Sequence, residues 1–409
     1  MKIKNSQKLF SKLYSKSPGG VLAIRRPYNF VIGKYPTFFD SAKGCQVKDV
    51  DGNSYLDMMC GYGPIILGHR EKFVDNKVIN QIKNKGNCMT LTQPIQYEIT
   101  KLLNNIFKCD KSILVKTGSD ATSLSIRLAR SFTGKSKVLR CGYHGWHDWC
   151  VGDKYGIPKY IQKDIIEFPY NDLNKLENLL IKFKDKVAAI IMWPIHTPLG
   201  QRVEFPNNDY LEEVKRLSIK HSVVLIFDEI RSGFRMGLAG SQSEYKVKPN
   251  LSIIGKAMGN GYPISAVVGD GNIMDQAIYK VFVSSTFFAN SIDQIAALSN
   301  IEFIKKNKVM SKNKIKGKII EKNISKIIDK QKIKCNYSGG PWFPCITFEE
   351  KNENLNRKIR DIFFSELIEN NIFLAPYHHG YIMHRHSSLN LKYFINIINQ
   401  SFDKINKAI

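Results

Sequence analysis

Four short stretches carry residue types that can do chemistry. The first runs from Leu114 to Thr122, where an apolar strand pattern meets Thr117-Gly118-Ser119. A glycine turn that opens a helix leaves backbone N–H groups free and presents a positive dipole end, which suits a phosphate. A plain helix capped by Ser119 or Asp120 has the same sequence pattern. The second is Gly142-Tyr143-His144-Gly145-Trp146-His147-Asp148-Trp149. An aromatic beside glycines can lie flat on a planar ring; a packed aromatic loop is the alternative. Its histidines have no cysteine partner and no His-Glu-x-x-His spacing, so a metal has little support. The third is the apolar run from Val223 that ends in Asp228-Glu229. A buried Asp228 carboxylate is costly without a partner. A protonated ring nitrogen serves, as would Arg231, Arg235 or a helix cap. The fourth is Gly255-Lys256-Ala257-Met258-Gly259. Desolvation and nearby cations would lower the pKa of Lys256, as Schiff-base chemistry requires; a surface lysine in a glycine loop is the alternative.

Each stretch follows a short apolar run, and such runs alternate with helical patterns. This order predicts a parallel α/β sheet. Strands are expected at Ile113–Lys116, Lys137–Cys141, Val187–Met192, Val223–Phe227, Ile253–Ile254 and Ala266–Val268. Functional loops then lie at the carboxyl edge of the sheet. Near the N-terminus, alternation on both sides of Asp51-Gly52-Asn53 predicts a hairpin. The C-terminal part predicts a strand near Phe343–Phe348, a helix over Leu355–Glu369 and a final helix. Three segments are expected: 1–67, the first part of a small domain; 68–298, a large domain; and 299–409, the rest of the small domain.

The chain has 409 residues, 43% of them hydrophobic, enough for a sizeable core. Sixty-one Lys and Arg against 36 Asp and Glu give a net charge of +25. Twelve of the lysines fall in residues 301–335, interleaved with isoleucines. That reads as an amphipathic helix with a basic outer face. Without interleaved aromatics for base stacking, no nucleic acid partner is expected. Eight scattered cysteines, none in a Cys-x-x-Cys pair, read as reduced and mostly buried thiols. No apolar run approaches the roughly 18 residues of a spanning helix and no signal-peptide pattern opens the chain, so a cytoplasmic protein without a membrane partner is expected.

Taken together, the four stretches resemble the class III (subgroup II) aminotransferases, and among them glutamate-1-semialdehyde aminomutase. The resemblance runs from Pro18-Gly19-Gly20-Val21 through Val47–Asp57 and Gly63–His69 to Ala297, and is traceable to Leu374-Ala375-Pro376. It implies fold type I of the pyridoxal-phosphate (PLP) enzymes: a large, mostly parallel sheet domain and a small α+β domain from both chain ends. It implies that Lys256 holds the cofactor and moves the proton between substrate Cα and cofactor C4′. Asp228 would bind the pyridine nitrogen, Gly118 and Ser119 the phosphate, and Tyr143 would stack on the ring. Thr286 would reach the phosphate of a partner subunit, which implies a homodimer. Arg26 and Tyr62 would face the substrate. The activity implied is ping-pong amino transfer from an amino donor to a carbonyl acceptor, with intramolecular transfer by an aminomutase as the alternative.

Several positions depart from the family pattern. Its Glu-Pro-Val run is here Trp193-Pro194-Ile195-His196, and its glycine-rich Gly-Thr-Leu-Ser-Gly-Asn-Pro segment is Ser285–Ser291 without either glycine. After Ala375-Pro376 come Tyr377-His378-His379 and then His384 and His386. The substrate side is rebuilt while the cofactor side is kept. This predicts a polar, sugar-like or anionic acceptor, with the histidines in a substrate pocket or on the surface.

Overall fold

The structure, a computed structural model, describes residues 2–152 and 155–409. The chain forms two compact units. One holds the residues up to Glu71, Thr197–Val203 and Ser311–Ile409; the other holds Lys72–His196 and Glu204–Met310. The second unit extends past residue 298 because the helix Ser291–Lys306 packs on the helix Lys72–Lys85 of the same unit.

The larger unit is built on a seven-stranded sheet among the described residues. Its order is Lys111–Val115, Ser265–Gly269, Leu251–Ile254, Val224–Asp228, Val187–Met192, Lys137–Cys141 and Ile165–Glu167. The central strands are apolar throughout, as sheets covered on both faces require; every residue of Val187–Met192 is buried. The helix Gly118–Thr133 packs Leu124 and Leu128 into a core with Ile191, Val224 and Ile253. The structure departs from the parallel expectation at one strand. Ser265–Gly269 runs antiparallel to both of its neighbours. Alternation and apolar runs carry no direction, so the sequence could not show this. The three-residue edge strand Ile165–Glu167 was too short to register as a pattern.

The smaller unit holds the predicted hairpin. Gln46–Asp49 pairs antiparallel with Ser54–Asp57, with Val47 opposite Tyr55, and Gly52 turns the chain at φ +92°. Phe39–Lys43 and Ile372–Phe373 complete its sheet. The helices Glu353–Glu369 and Ser388–Ala408 place Phe363 and Phe402 in the same core as Tyr55. The lysine-rich stretch is two helices, not one: Ser291–Lys306 and Val309–Ile328, broken at Lys308 with φ +51°. In the second of these helices, Ile320 and Ile324 are buried while Ile315 and Ile319 are exposed.

Candidate active site

All four chemistry-bearing stretches line one cavity of about 200 Å³ in the larger unit. The helix Gly118–Thr133 opens towards it. Thr117 is the N-cap, two residues before Ser119 and three before Asp120, the expected caps: its hydroxyl accepts the Asp120 N–H, and Asp120 accepts the Thr117 N–H at 2.8 Å. This capping box uses one donor of the first turn and leaves those of Gly118 and Ser119 at the cavity wall. The approach is tight. A Cβ on Gly145 would sit 2.4 Å from Ser119 Oγ, and one on Gly118 would meet Ile230 at 3.1 Å.

Asp228 ends the strand Val224–Asp228 and is 4% exposed. One oxygen accepts the Ile230 N–H at 3.1 Å and the other lies 2.8 Å from His144 Nδ1. His144 is buried as well, and its Nε2 faces the Cys141 carbonyl at 3.1 Å. With an acceptor at each ring nitrogen, the imidazole is fixed in place and so fixes the carboxylate. In the sequence alone His144 stands out only as a weakly supported metal ligand. Its contact with Asp228 spans 84 residues, and no local pattern reports it.

Lys256 opens a short 3₁₀ turn at φ +44° between the buried Gly255 and Ala257. Burial is the main cause that brings its amine down to about 7; Arg231 and Arg235 push the same way and Asp228 opposes them. The amine is therefore a competent nucleophile near neutrality. Tyr143 lines the same cavity, half-exposed. Trp193 forms another wall. Its indole fills the space beside Gly142, where a Cβ would come within 2.7 Å, and carries the Arg231 guanidinium 4.5 Å from its ring centroid. Trp193, a change on the substrate side by its sequence position, and Arg231, an ion-pair partner for Asp228 in the sequence, both line this cavity. A phosphorylated pyridine aldehyde matches this donor set: helix-start N–H groups for a phosphate, a buried carboxylate for a ring nitrogen, and a nucleophilic amine for an aldehyde.

The other expected site residues lie elsewhere. Thr286 is exposed and does not line this cavity. Arg26 and Tyr62 belong to the smaller unit. There Tyr62 Oη is 2.7 Å from Tyr377 Oη and its ring lies under Arg25, at 5.3 Å. Arg26 instead donates from Nε to its own loop at Val21 O, 3.3 Å away. Of the C-terminal histidines, His378, His379 and His386 are buried rather than on the surface. His378 and His379 pack ring against ring at 4.2 Å, and His386 Nε2 faces the Asp57 carbonyl at 3.1 Å. Tyr62 against His378, Phe343 against His379 and the Asp57 carbonyl at His386 come from distant parts of the chain, which hid this burial in the sequence. All eight cysteines are free thiols.

Comparison with known proteins agrees with this geometry. Residues 31–378 match the family model for aminotransferase class-III. The chain is 47% identical to 3-aminobutyryl-CoA aminotransferase of Cloacimonas acidaminovorans, covering 100% of this chain and 99% of that protein. It is 30% identical to glutamate-1-semialdehyde 2,1-aminomutase of Archaeoglobus fulgidus, covering 98% and 100%. Among solved structures, the FumI protein of Sphingopyxis sp. MTA144, in a PLP internal aldimine form, superposes with a TM-score of 0.93 at 23% identity, over 99% of this chain and 97% of that one.

Proposed function

The chain belongs to the class-III aminotransferase family, and from that premise we propose that its amino donor is a β-aminoacyl-CoA thioester of the 3-aminobutyryl type. It is a PLP-dependent aminotransferase of fold type I. The observation that carries the donor is the 47% identity, end to end, with a 3-aminobutyryl-CoA aminotransferase, against 30% for the aminomutase.

Bound PLP supplies an electron-withdrawing ring that makes a C–H bond beside an amino group acidic. The chain supplies the rest. The N–H groups of Gly118 and Ser119 bind the phosphate at the helix start. Asp228, oriented by His144, holds a proton on the ring nitrogen. Tyr143, in the lining of the same cavity, would lie against the ring. Lys256 Nζ would anchor the cofactor and, once the donor's amino group has displaced it, would be the base that moves the proton between C3 of the donor and C4′. Trp193 and Arg231 form part of the wall of the same cavity. On the smaller unit we assign Tyr62, with Arg25 on its ring, to substrate contact. Arg26 belongs to the same assignment by sequence position alone. Thr286, exposed in the monomer, is assigned to the phosphate site of a second subunit in a homodimer. Eight free thiols suit a reducing compartment, so we place the enzyme in the cytoplasm. Among the described residues, no helix is long and apolar enough to cross a membrane.

The test is the visible spectrum of the purified protein and of Lys256→Ala, followed by titration with 3-aminobutyryl-CoA and then a 2-oxo acid. The wild type should be yellow, lose its band with the thioester and regain it with the oxo acid; Lys256→Ala should do neither. A band that responds only to glutamate-1-semialdehyde would make the protein an aminomutase instead.

A further inference from the structure

Beside the cofactor cavity lies a larger one of about 460 Å³, which the chemistry above does not use. It falls within the roughly 300–1,000 Å³ typical of small-molecule sites. The two cavities share a loop and a helix. Tyr143, His144 and Gly145 face the cofactor cavity, and Trp146, His147 and Trp149 line the second. The Trp146 N–H donates to Ser119 Oγ at 3.3 Å, so the loop is pinned where the cavities adjoin. On the helix, Gly118, Ser119 and Thr122 serve the first cavity. Ser123, Arg127 and Arg130 serve the second, at the i, i+4, i+7 spacing of one helical stripe.

The wall of this second cavity is rich in donors and aromatic faces. Ser123 Oγ accepts the Trp149 indole N–H at 2.9 Å and lies 2.7 Å from His147 Nδ1, which holds both rings in the wall. Arg127 is exposed, and Arg130 is oriented by its Nε bond to the Ser136 carbonyl at 2.8 Å. Asp148 is the opposing carboxylate in the lining, so the two guanidinium groups leave the wall net positive. Trp146 leaves 71% of its surface in solvent beside these cations. An open indole offers a stacking face for a planar base, and guanidinium groups bind phosphates through paired N–H groups.

We propose that this cavity binds the phosphorylated adenosine end of the CoA thioester while the acyl end reaches the neighbouring cofactor cavity, an inference that rests on the donor proposed above. The base stacks on Trp146, and Arg127 and Arg130 take the phosphates.

The probes are adenosine 3′,5′-bisphosphate and a matched pair of 3-aminobutyryl thioesters, one of CoA and one of pantetheine, each used with the holoenzyme. Calorimetry should show the bisphosphate binding to the wild type. Arg127→Gln and Trp146→Ala, both at exposed positions, should each weaken it by about tenfold or more, the scale of one charge-assisted contact or one stacked base. The wild type's lower KM for the CoA thioester over the pantetheine thioester should shrink by the same factor in each variant. No binding to the wild type, as when a second copy of the chain covers this face, overturns the site. So does binding that both variants retain, or a nucleotide that leaves the thioester preference intact. Turnover of the CoA thioester with such a result would sink the site and keep the donor. Arg127-dependent binding without thioester turnover would keep the site and sink the donor.

Discussion

Lys256 shows how one residue is tuned by its surroundings. A solvated lysine titrates at 10.5, whereas burial, aided by Arg231 and Arg235, brings this one down to about 7. The lowered value means that the neutral amine dominates above about pH 7 and the inert ammonium below it. In cofactor-free protein, the rate of PLP uptake, followed at the visible band, should rise with pH through a midpoint near 7. Arg231→Gln should move that midpoint up, because Arg231 lowers the amine; Asp228→Asn should move it down, because Asp228 raises it. A midpoint that stays near 10.5 in the wild type would mean that the amine is solvated and the pocket open.

At the scale of elements, the pair Asp228-Glu229 divides two tasks at the end of one strand. Asp228 faces the cofactor cavity, while Glu229 is fully buried elsewhere. Its carboxylate accepts the Ser241 N–H at 2.9 Å and the hydroxyls of Ser232 and Ser241. These bonds tie down the loop that carries Arg231. Gly240 makes the tie possible: at φ +62°, its Cβ would fall 2.3 Å from Glu229 Oε2 and 3.1 Å from Gly233 Cα. Gly240→Ala should therefore cost about 2–4 kcal/mol, overpacking plus a strained backbone. Gly134→Ala, at φ +68° with nothing within 4 Å, should cost only about 1 kcal/mol. Equal losses in urea unfolding would refute the packing argument. The same loop marks what the sequence makes legible. Lys256, Asp228 and the Gly118–Ser119 turn each follow an apolar run, so strand and motif can be read together along the chain. Glu229 in its serine cradle, His144 on Asp228 and Trp193 against Gly142 are contacts between distant stretches. So is the direction of Ser265–Gly269, which only its neighbours in the sheet decide.

For the whole molecule, the dominant electrostatic fact is a charge of +25 that grows as carboxylates protonate. Mutual repulsion should lower stability in acid, and salt should relieve it, since the Debye length is about 8 Å at physiological ionic strength. A second contribution resists salt. His384 is held at about 4, chiefly by desolvation and then by Lys316, Arg385 and Lys312, with Glu71 opposing. Its ordinary value is 6.5, so the unfolded chain binds the proton first. The folded state thus has its full advantage from this group above pH 6.5 and loses it progressively down to about 4. Lys316, itself lowered to about 8 mainly by burial, donates to the His384 carbonyl at 2.6 Å and keeps a cation beside the ring. Melting temperature measured across pH 7 to 4, at low and at high salt, separates the two effects. High salt should flatten the wild-type slope only in part, and His384→Gln should remove most of what remains. If the variant and the wild type share one slope at high salt, acid lability belongs to the surface charge alone and the ring is solvated.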